Sequence, residues 1–237
     1  MKIKVLFDKR SRIRGLNVGW GLSFLIDDIA LFDTGEKGEW LIENMENLGV
    51  DINKIENVII SHDHWDHTGG LWSFLELNSR INLYITPGFS ADFKEKAKKY
   101  GVNLNECKDS CKVTENIFTS GELASIYKGY TLAEHSLVIK INREVSVLTG
   151  CSHPGIINIL KKVNDDFGND KFHLVMGGFH LLNREKIDII KIVSQLKEFK
   201  IDMIGATHCT GEEAEAIIKE EFGEKFFEVK VGDIIEI

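Results

Sequence analysis

The chain has 237 residues, 43% of them apolar and 28% charged, the proportions of an ordinary globular protein and not of a disordered or fibrous one. Its 29 basic residues against 37 acidic ones give a net charge of −8, which excludes the broad basic face that nonspecific nucleic-acid binding requires. One domain over residues 1–237 is expected from a length able to bury a sizeable core.

Residues 2–7 alternate charged and apolar side chains and read as a first strand. The chain start lacks the apolar stretch of a signal peptide, and no run approaches the ~20 apolar residues of a membrane span. A cytoplasmic location is therefore expected, with Cys107, Cys111, Cys151 and Cys209 as thiols. Strands follow at 22–26 and 29–32 about an Asp27-Asp28 turn, then a helix at 38–48 with Trp40, Leu41, Met45 and Leu48 on one face. A strand at 58–60 runs into a helix opening at Leu71, followed by a strand at 81–85 and a basic helix at 91–100. Beyond Gly101 come short β-prone pieces around Ile117, Leu123 and Ile126, then strands at 137–141 and 145–148. Helix 156–163, strand 173–176, helix 184–199, strand 203–206 and an acidic helix 211–221 complete the pattern. This alternation fits two packed sheets with helices outside as well as one doubly wound sheet.

The segment that carries chemistry is His62-Asp63-His64-Trp65-Asp66-His67-Thr68-Gly69-Gly70, at the end of the apolar strand Val58-Ile59-Ile60. Three imidazoles and two carboxylates within six positions are hard to explain as packing. These groups ligate zinc and other first-row divalent metals, and a tight turn aims closely spaced ligands at one or two points. His62 and His64, two apart, suit one metal; Asp66 and His67 suit a second.

The run His-x-His-x-Asp-His after an apolar strand resembles the signature of the metallo-β-lactamase superfamily. That resemblance implies an αββα sandwich of two mixed β-sheets with helices on the outer faces, and a mono- or dinuclear metal site at the sheet edge. Leu31-Phe32-Asp33-Thr34-Gly35 resembles the family's early aspartate turn, with Asp33 bracing the metal loop. Three later pieces, Thr149-Gly150-Cys151-Ser152-His153, Gly177-Gly178-Phe179-His180 and Thr207-His208-Cys209, resemble a subgroup of metal-dependent hydrolases related to a dihydropterin ribofuranosyl-aminobenzene phosphate synthase.

On this reading His153 completes the first metal's ligands and His208 the second's. Two divalent ions are expected, zinc first, with manganese or iron as alternatives. Where many members have Thr-Gly-Asp with a bridging aspartate, this chain has Thr149-Gly150-Cys151. Two readings of Cys151 stand: a thiolate that ligates or bridges, or an inert thiol beside the site. Asp66 is assigned a catalytic part in orienting an activated water, and His180 one in reaching substrate or donating to a developing oxyanion. Asp63 is expected to accept a hydrogen bond from a ligand imidazole. Trp65 and Phe179 have two readings, as walls for an apolar or aromatic part of a substrate or as packing residues. His135 is expected at the surface or behind the ligands, His173 as structural, and Cys107 and Cys111 as incidental thiols. Cys209 would point away from the site on extended backbone.

Three functions remain in view: hydrolysis of a phosphoester, cyclic phosphodiester, thioester or lactone; a pterin-precursor synthase or transferase; and a metal or thiol sensor without turnover. His64 stands where related diiron oxidoreductases carry glutamate, which favours the hydrolytic variant. The expected partner is a small, possibly anionic substrate, without nucleic acid or membrane, and no residue pattern fixes an oligomeric state.

Overall fold

The computed structural model describes residues 1–168 and 171–237. In chain order the first half runs β1 (Lys2–Phe7), β2 (Ser23–Ile26), β3 (Ala30–Phe32), α1 (Gly38–Asn47), β4 (Asn57–Ile59), α2 (Trp65–Thr68), α3 (Leu71–Leu77), β5 (Asn82–Ile85), α4 (Ala91–Lys99) and β6 (Asn103–Glu106). The second half runs β7 (Ile117–Thr119), β8 (Leu123–Tyr127), β9 (Tyr130–Glu134), β10 (Leu137–Ile141), β11 (Glu144–Thr149), α5 (Ile156–Phe167), β12 (Lys171–Gly178), α6 (Lys186–Leu196), β13 (Lys200–Thr207), α7 (Glu212–Phe222) and β14 (Ile234–Glu236).

Among the described residues these strands form two mixed sheets, in the orders β14-β1-β2-β3-β4-β5-β6 and β13-β12-β11-β10-β7, with β8 and β9 as a separate hairpin. The period-two alternation of strand side chains sorts each strand's residues into different cores. Val5, Phe24, Phe32 and Ile59 meet Leu137, Leu148, Leu174 and Met176 of the other sheet. Their sequence neighbours Leu6, Leu25, Leu31 and Val58 pack instead against Leu41, Met45 and Phe74 of α1 and α3. In the second sheet Val138, Val147 and Val175 turn outward onto α5, α6 and α7. Three cores in four layers make the αββα sandwich that the motif resemblance implied. None of the described helices is long and apolar enough to cross a membrane.

Strands β3, β4, β5 and β6 run parallel, and so do β11, β12 and β13. Parallel strands align their carboxyl ends, so the loops that follow them converge. In the first sheet one row of side chains is a ladder of asparagines. Asn57, Asn82 and Asn103 are register partners across β4, β5 and β6. The Asn82 amide donates to Asn57 Oδ1 at 3.2 Å and the Asn103 amide to Asn82 Oδ1 at 2.8 Å.

The structure departs from the sequence reading at polar edges. Strand β6 (Asn-Leu-Asn-Glu) has low intrinsic β preference and forms through pairing with β5. The three-residue β14 forms on the edge beside β1. Helix α6 is shorter than the apolar pattern of 184–199, because residues 181–185 form a turn before it.

Candidate metal centre

The loop after β4 is held from below by Asp33, which follows β3. Its Oδ1 accepts the Ser61 N–H at 2.7 Å, and its Oδ2 accepts the Ser61 hydroxyl and the His67 Nδ1–H, each at 2.7 Å. Because the Ser61 hydroxyl proton goes to Asp33, Ser61 Oγ accepts from His62 Nδ1 at 2.9 Å. His62 and His67 are thus left with Nε2 lone pairs turned to the site, the tautomer a metal ligand needs. Asp33 adopts φ +56°, as His208, His180 and Ser152 adopt φ between +51° and +63°. Left-handed backbone costs such residues energy, and its clustering here is the mark of a constrained functional site.

The second sheet delivers its groups from three loops. After β11, Glu134 at the end of the hairpin clamps the chain: its carboxylate accepts the N–H groups of Cys151, Ser152 and His153 and the His153 Nδ1–H at 2.7 to 3.0 Å. His180 follows β12 and His208 follows β13. Gly150 lets the two halves approach, since a Cβ there would strike the Ser61 side chain. Within the first half, Gly21, at φ +100°, lets its segment approach the Asp66 carbonyl.

Two donor sets result, each with atoms within 4.8 Å of one another: His62, His64 and His153, and Asp66, His67, Cys151 and His208. His62 Nε2 lies 3.0 Å from His64 Nδ1, and His64 turns its Nε2 to the Tyr130 hydroxyl at 3.1 Å. Cys151 Sγ lies 3.3 Å from both His67 Nε2 and His208 Nε2. Asp66 Oδ2 lies 3.5 and 3.4 Å from the same two nitrogens. Cys151 also groups with His153 and His180, so its sulfur stands between the two sets. Three nitrogens on one side and two nitrogens, a carboxylate and a thiol on the other suit divalent zinc or iron. His208 differs from the other imidazoles. The Gly21 N–H donates to its Nδ1 at 3.2 Å, which puts the ring proton on Nε2, facing Asp66 and Cys151, so His208 ligates through Nε2 only once that proton is lost or the Gly21 contact is broken.

Burial acts on every group here, and its partners decide the direction. It drives His62 well below the ordinary imidazole range, helped by the neighbouring imidazoles. It lowers His64 to about 4, with His153 adding to the effect. For His67 burial is outweighed by the charge and hydrogen bond of Asp33, which raise it to about 9. For Asp66 burial is outweighed by the His208 hydrogen bond and the charges of His67 and His208, which hold the carboxyl below its ordinary range. Burial raises the Cys151 thiol well above the usual value, and the adjoining Cys209 thiol adds to it. Binding of a divalent metal to such a set releases the protons its ligands hold.

Residues 18–103 match the family described as the metallo-beta-lactamase superfamily. A Methanocaldococcus jannaschii protein named 7,8-dihydropterin-6-methyl-4-(beta-D-ribofuranosyl)-aminobenzene-5'-phosphate synthase is 31% identical over 91% of this chain and 89% of its own. The chain belongs to the metallo-β-lactamase superfamily. A solved structure described as a metal-dependent hydrolase of the β-lactamase superfamily superposes with a TM-score of 0.83 at 29% identity, covering 100% of this chain and 99% of that one. The metallo-β-lactamase fold protein YhfI from Bacillus subtilis, at 16% identity, has a TM-score of 0.70 over 100% of this chain and 98% of its own, and shows the fold.

Within this superfamily member the site opens on a cleft of about 500 Å³ walled by Trp20, Trp65, Tyr127, Lys128 and Tyr130. Several sequence expectations are corrected. Cys209 faces the site instead of away from it, its thiol directed at the Cys151 carbonyl oxygen at 3.5 Å. Residues His208–Thr210 form a 3-10 turn, so the alternation of extended backbone does not apply. Asp63 accepts the Ser90 N–H at 2.9 Å and no imidazole proton. Of the two places expected for His135 the structure gives the one behind the ligands: it is buried against the loop after β4, donating from Nε2 to the Ile60 carbonyl at 2.8 Å. Phe179 is packed in the outer core of the second sheet, while Trp65 is 61% exposed on the cleft rim. Sequence reasoning missed Glu134, Tyr127, Tyr130 and Ser61. The Tyr-Lys-Gly-Tyr sequence at 127–130 is a two-residue hairpin signal that would have brought both tyrosines together.

Proposed function

We propose that this chain is a metal-dependent hydrolase of a phosphorylated small molecule, acting at a dinuclear site held by His62, His64 and His153 on one side and Asp66, His67, Cys151 and His208 on the other. The observation that carries the reading is the adjacency of these two donor sets at the floor of one cleft, with Cys151 common to their border. When bound, divalent ions supply Lewis acidity and an activated water at neutral pH. Asp66 would help hold the metal and orient the attacking water, Glu134 keeps the loop of Cys151 and His153 in place, and His180, which lines the cleft, would donate to developing negative charge on substrate.

A second reading, a synthase or transferase, is favoured by the name of the 31% identical relative and by the aromatic cleft walls, which suit a planar ring. One experiment separates the two. Metal content of protein purified without added metal is measured, and the enzyme is given phosphoester, thioester and lactone panels alongside a dihydropterin donor, carrying a leaving group on its 6-methyl carbon, with a ribofuranosyl-aminobenzene 5'-phosphate acceptor. Hydrolysis of a phosphoester without the pterin donor supports the first reading. Coupling without net hydrolysis overturns it in favour of the second, and absence of transition metal near neutral pH overturns both. In the same preparations Cys151→Ser is expected to lower metal stoichiometry, because a serine hydroxyl is harder to ionise. Unchanged stoichiometry would make Cys151 a packing residue.

A further inference from the structure

Beside the metal centre lies a second cavity, of about 260 Å³, between the start of α5 and the turn leading into α6. Its walls include Lys161, Arg184, Asn158 and Gln195, and it meets the metal cleft at His180, which lines both. His180 Nδ1 is buried without a hydrogen-bond partner among the described residues. The nearby Lys162 and Lys191 pair with Asp166 and Asp188. Neither Lys161 nor Arg184 meets a carboxylate among the described residues, in a chain whose net charge is −8. Lys161 and Arg184, both solvent-exposed, line one concave surface without a carboxylate partner among the described residues, which favours an anion there.

The backbone adds to this field. The N-cap of α5, Gly155, offers no side-chain acceptor to the first turn, and that turn carries no acidic side chain. The first turns of α1, α4, α6 and α7 each hold an Asp or Glu. The opening N–H groups of a helix have no intrahelical acceptor and carry partial positive charge. A guanidinium and an ammonium supply further charge-assisted donors of the kind that hold phosphate.

We propose that this cavity binds the terminal phosphate monoester of the substrate, with Lys161 and Arg184 as its charged donors, while the reacting bond lies across His180 on the metal donors. The proposal rests on the proposed function only for the identity of the reacting end. Gln195 and the one N–H of the Asn158 amide not given to the Pro154 carbonyl border the phosphate as neutral donors, and the phosphate takes no part in bond breaking.

The test is calorimetric titration of the metal-loaded enzyme with ribose 5-phosphate, with inorganic phosphate, and with ribose as the neutral control. Ribose 5-phosphate is expected to bind more tightly than inorganic phosphate, and ribose not measurably. Lys161→Gln and Arg184→Gln are each expected to weaken ribose 5-phosphate about tenfold, the scale of one charge-assisted hydrogen bond, with melting temperature and metal content unchanged. Lys161→Arg, which keeps the charge, is expected to retain most of the affinity. His62→Ala, which removes a metal donor, is expected to leave phosphate affinity within about twofold.

Wild-type affinity in both Gln variants would overturn the proposal. Loss of phosphate binding in His62→Ala alone would overturn it too, by placing the anion on the metals. Preference for inorganic phosphate over the ester would make the cavity a free-anion site and overturn its role as a substrate arm. If the protein holds no metal but Lys161 and Arg184 still govern ester binding, the proposed reaction fails and this subsite stands.

Discussion

In the first half of the chain, His62, His64, Asp66 and His67 lie on one loop after β4, and in the second half Cys151, His153, His180 and His208 come from three loops after β11, β12 and β13. The first group is assembled by sequence, since residues so close in the chain cannot be far apart in space. The second is assembled by topology: only the parallel order of β11, β12 and β13 brings their ends side by side. Each half has one buried carboxylate that orders it, Asp33 under the first loop and Glu134 under the second. The chemistry is shared, but the first half depends on one short turn and the second on the register of a sheet.

The largest expected effect is that of Asp33→Ala. It strands the Ser61 N–H and the His67 Nδ1–H, both on fully buried residues, at a cost of about 3–5 kcal/mol. Urea unfolding of the metal-free protein measures it, and metal content should fall with it. A loss below about 1 kcal/mol would mean that the loop after β4 organises itself without its carboxylate.

Glu134→Ala should cost somewhat less, about 2–4 kcal/mol, because three of the stranded donors are backbone N–H groups that a shifted loop can partly expose. For Glu134 burial is outweighed by the hydrogen bonds of His153 and the loop, which lower its pKa. Its folded-state pKa is below the unfolded value, so its contribution is present above about 4.5 and is lost as pH falls through the folded value. The difference between wild type and Glu134→Ala should therefore shrink in acid. A constant difference from pH 7 to 3 would remove the carboxylate's charge from the account.

The halves are joined at Asp8, after β1, whose Oδ1 accepts the Thr207 hydroxyl at 2.8 Å. Burial raises this carboxyl from 3.8 to about 6, against the lowering effect of Thr207. The folded state holds the proton more firmly, so stability falls as pH rises from about 4 to about 6 and stays low above it. At 1.36 kcal/mol per unit the strain at pH 7 is at most about 3 kcal/mol. Asp8→Asn keeps the Oδ1 acceptor and should stabilise the protein by about 1–2 kcal/mol at pH 7 and by nothing at pH 4, read from thermal melts at both. Destabilisation at both pH values would show that the charge at this seam is needed.

The smallest effect is expected for Trp65→Ala on the exposed rim: stability within about 0.5 kcal/mol of wild type, with substrate affinity as the quantity that moves. Equal KM in variant and parent would remove Trp65 from the cleft's binding surface.

This contrast also explains what could be read in advance. The motif at 62–67 was legible because its donors are contiguous and follow an apolar strand. Strands such as 58–60 and 137–141 were legible because their β-branched runs are short and bounded by turn residues. The layering was not: Val58 and Ile59 serve different cores, and only the fold resemblance chose two sheets over one. Glu134 was invisible as a clamp, since its acceptance of three N–H groups seventeen to nineteen residues away depends on where the hairpin docks. Cys209 was misread because one residue at φ +51° reverses the direction in which its neighbour points.

The asparagine ladder across β4, β5 and β6 acts as a gauge for the whole centre. His62 comes three residues after Ile59, the last residue of β4, so its height above the sheet is whatever the pairing of β4 dictates. A slip of one residue along a strand moves every atom beyond it by about 3.3 Å and inverts its faces. It would also set the amide of Asn57 against an apolar leucine where it now meets the amide of Asn82. A row of three amides on β4, β5 and β6 thereby meters the height of a candidate metal donor that comes after the strand.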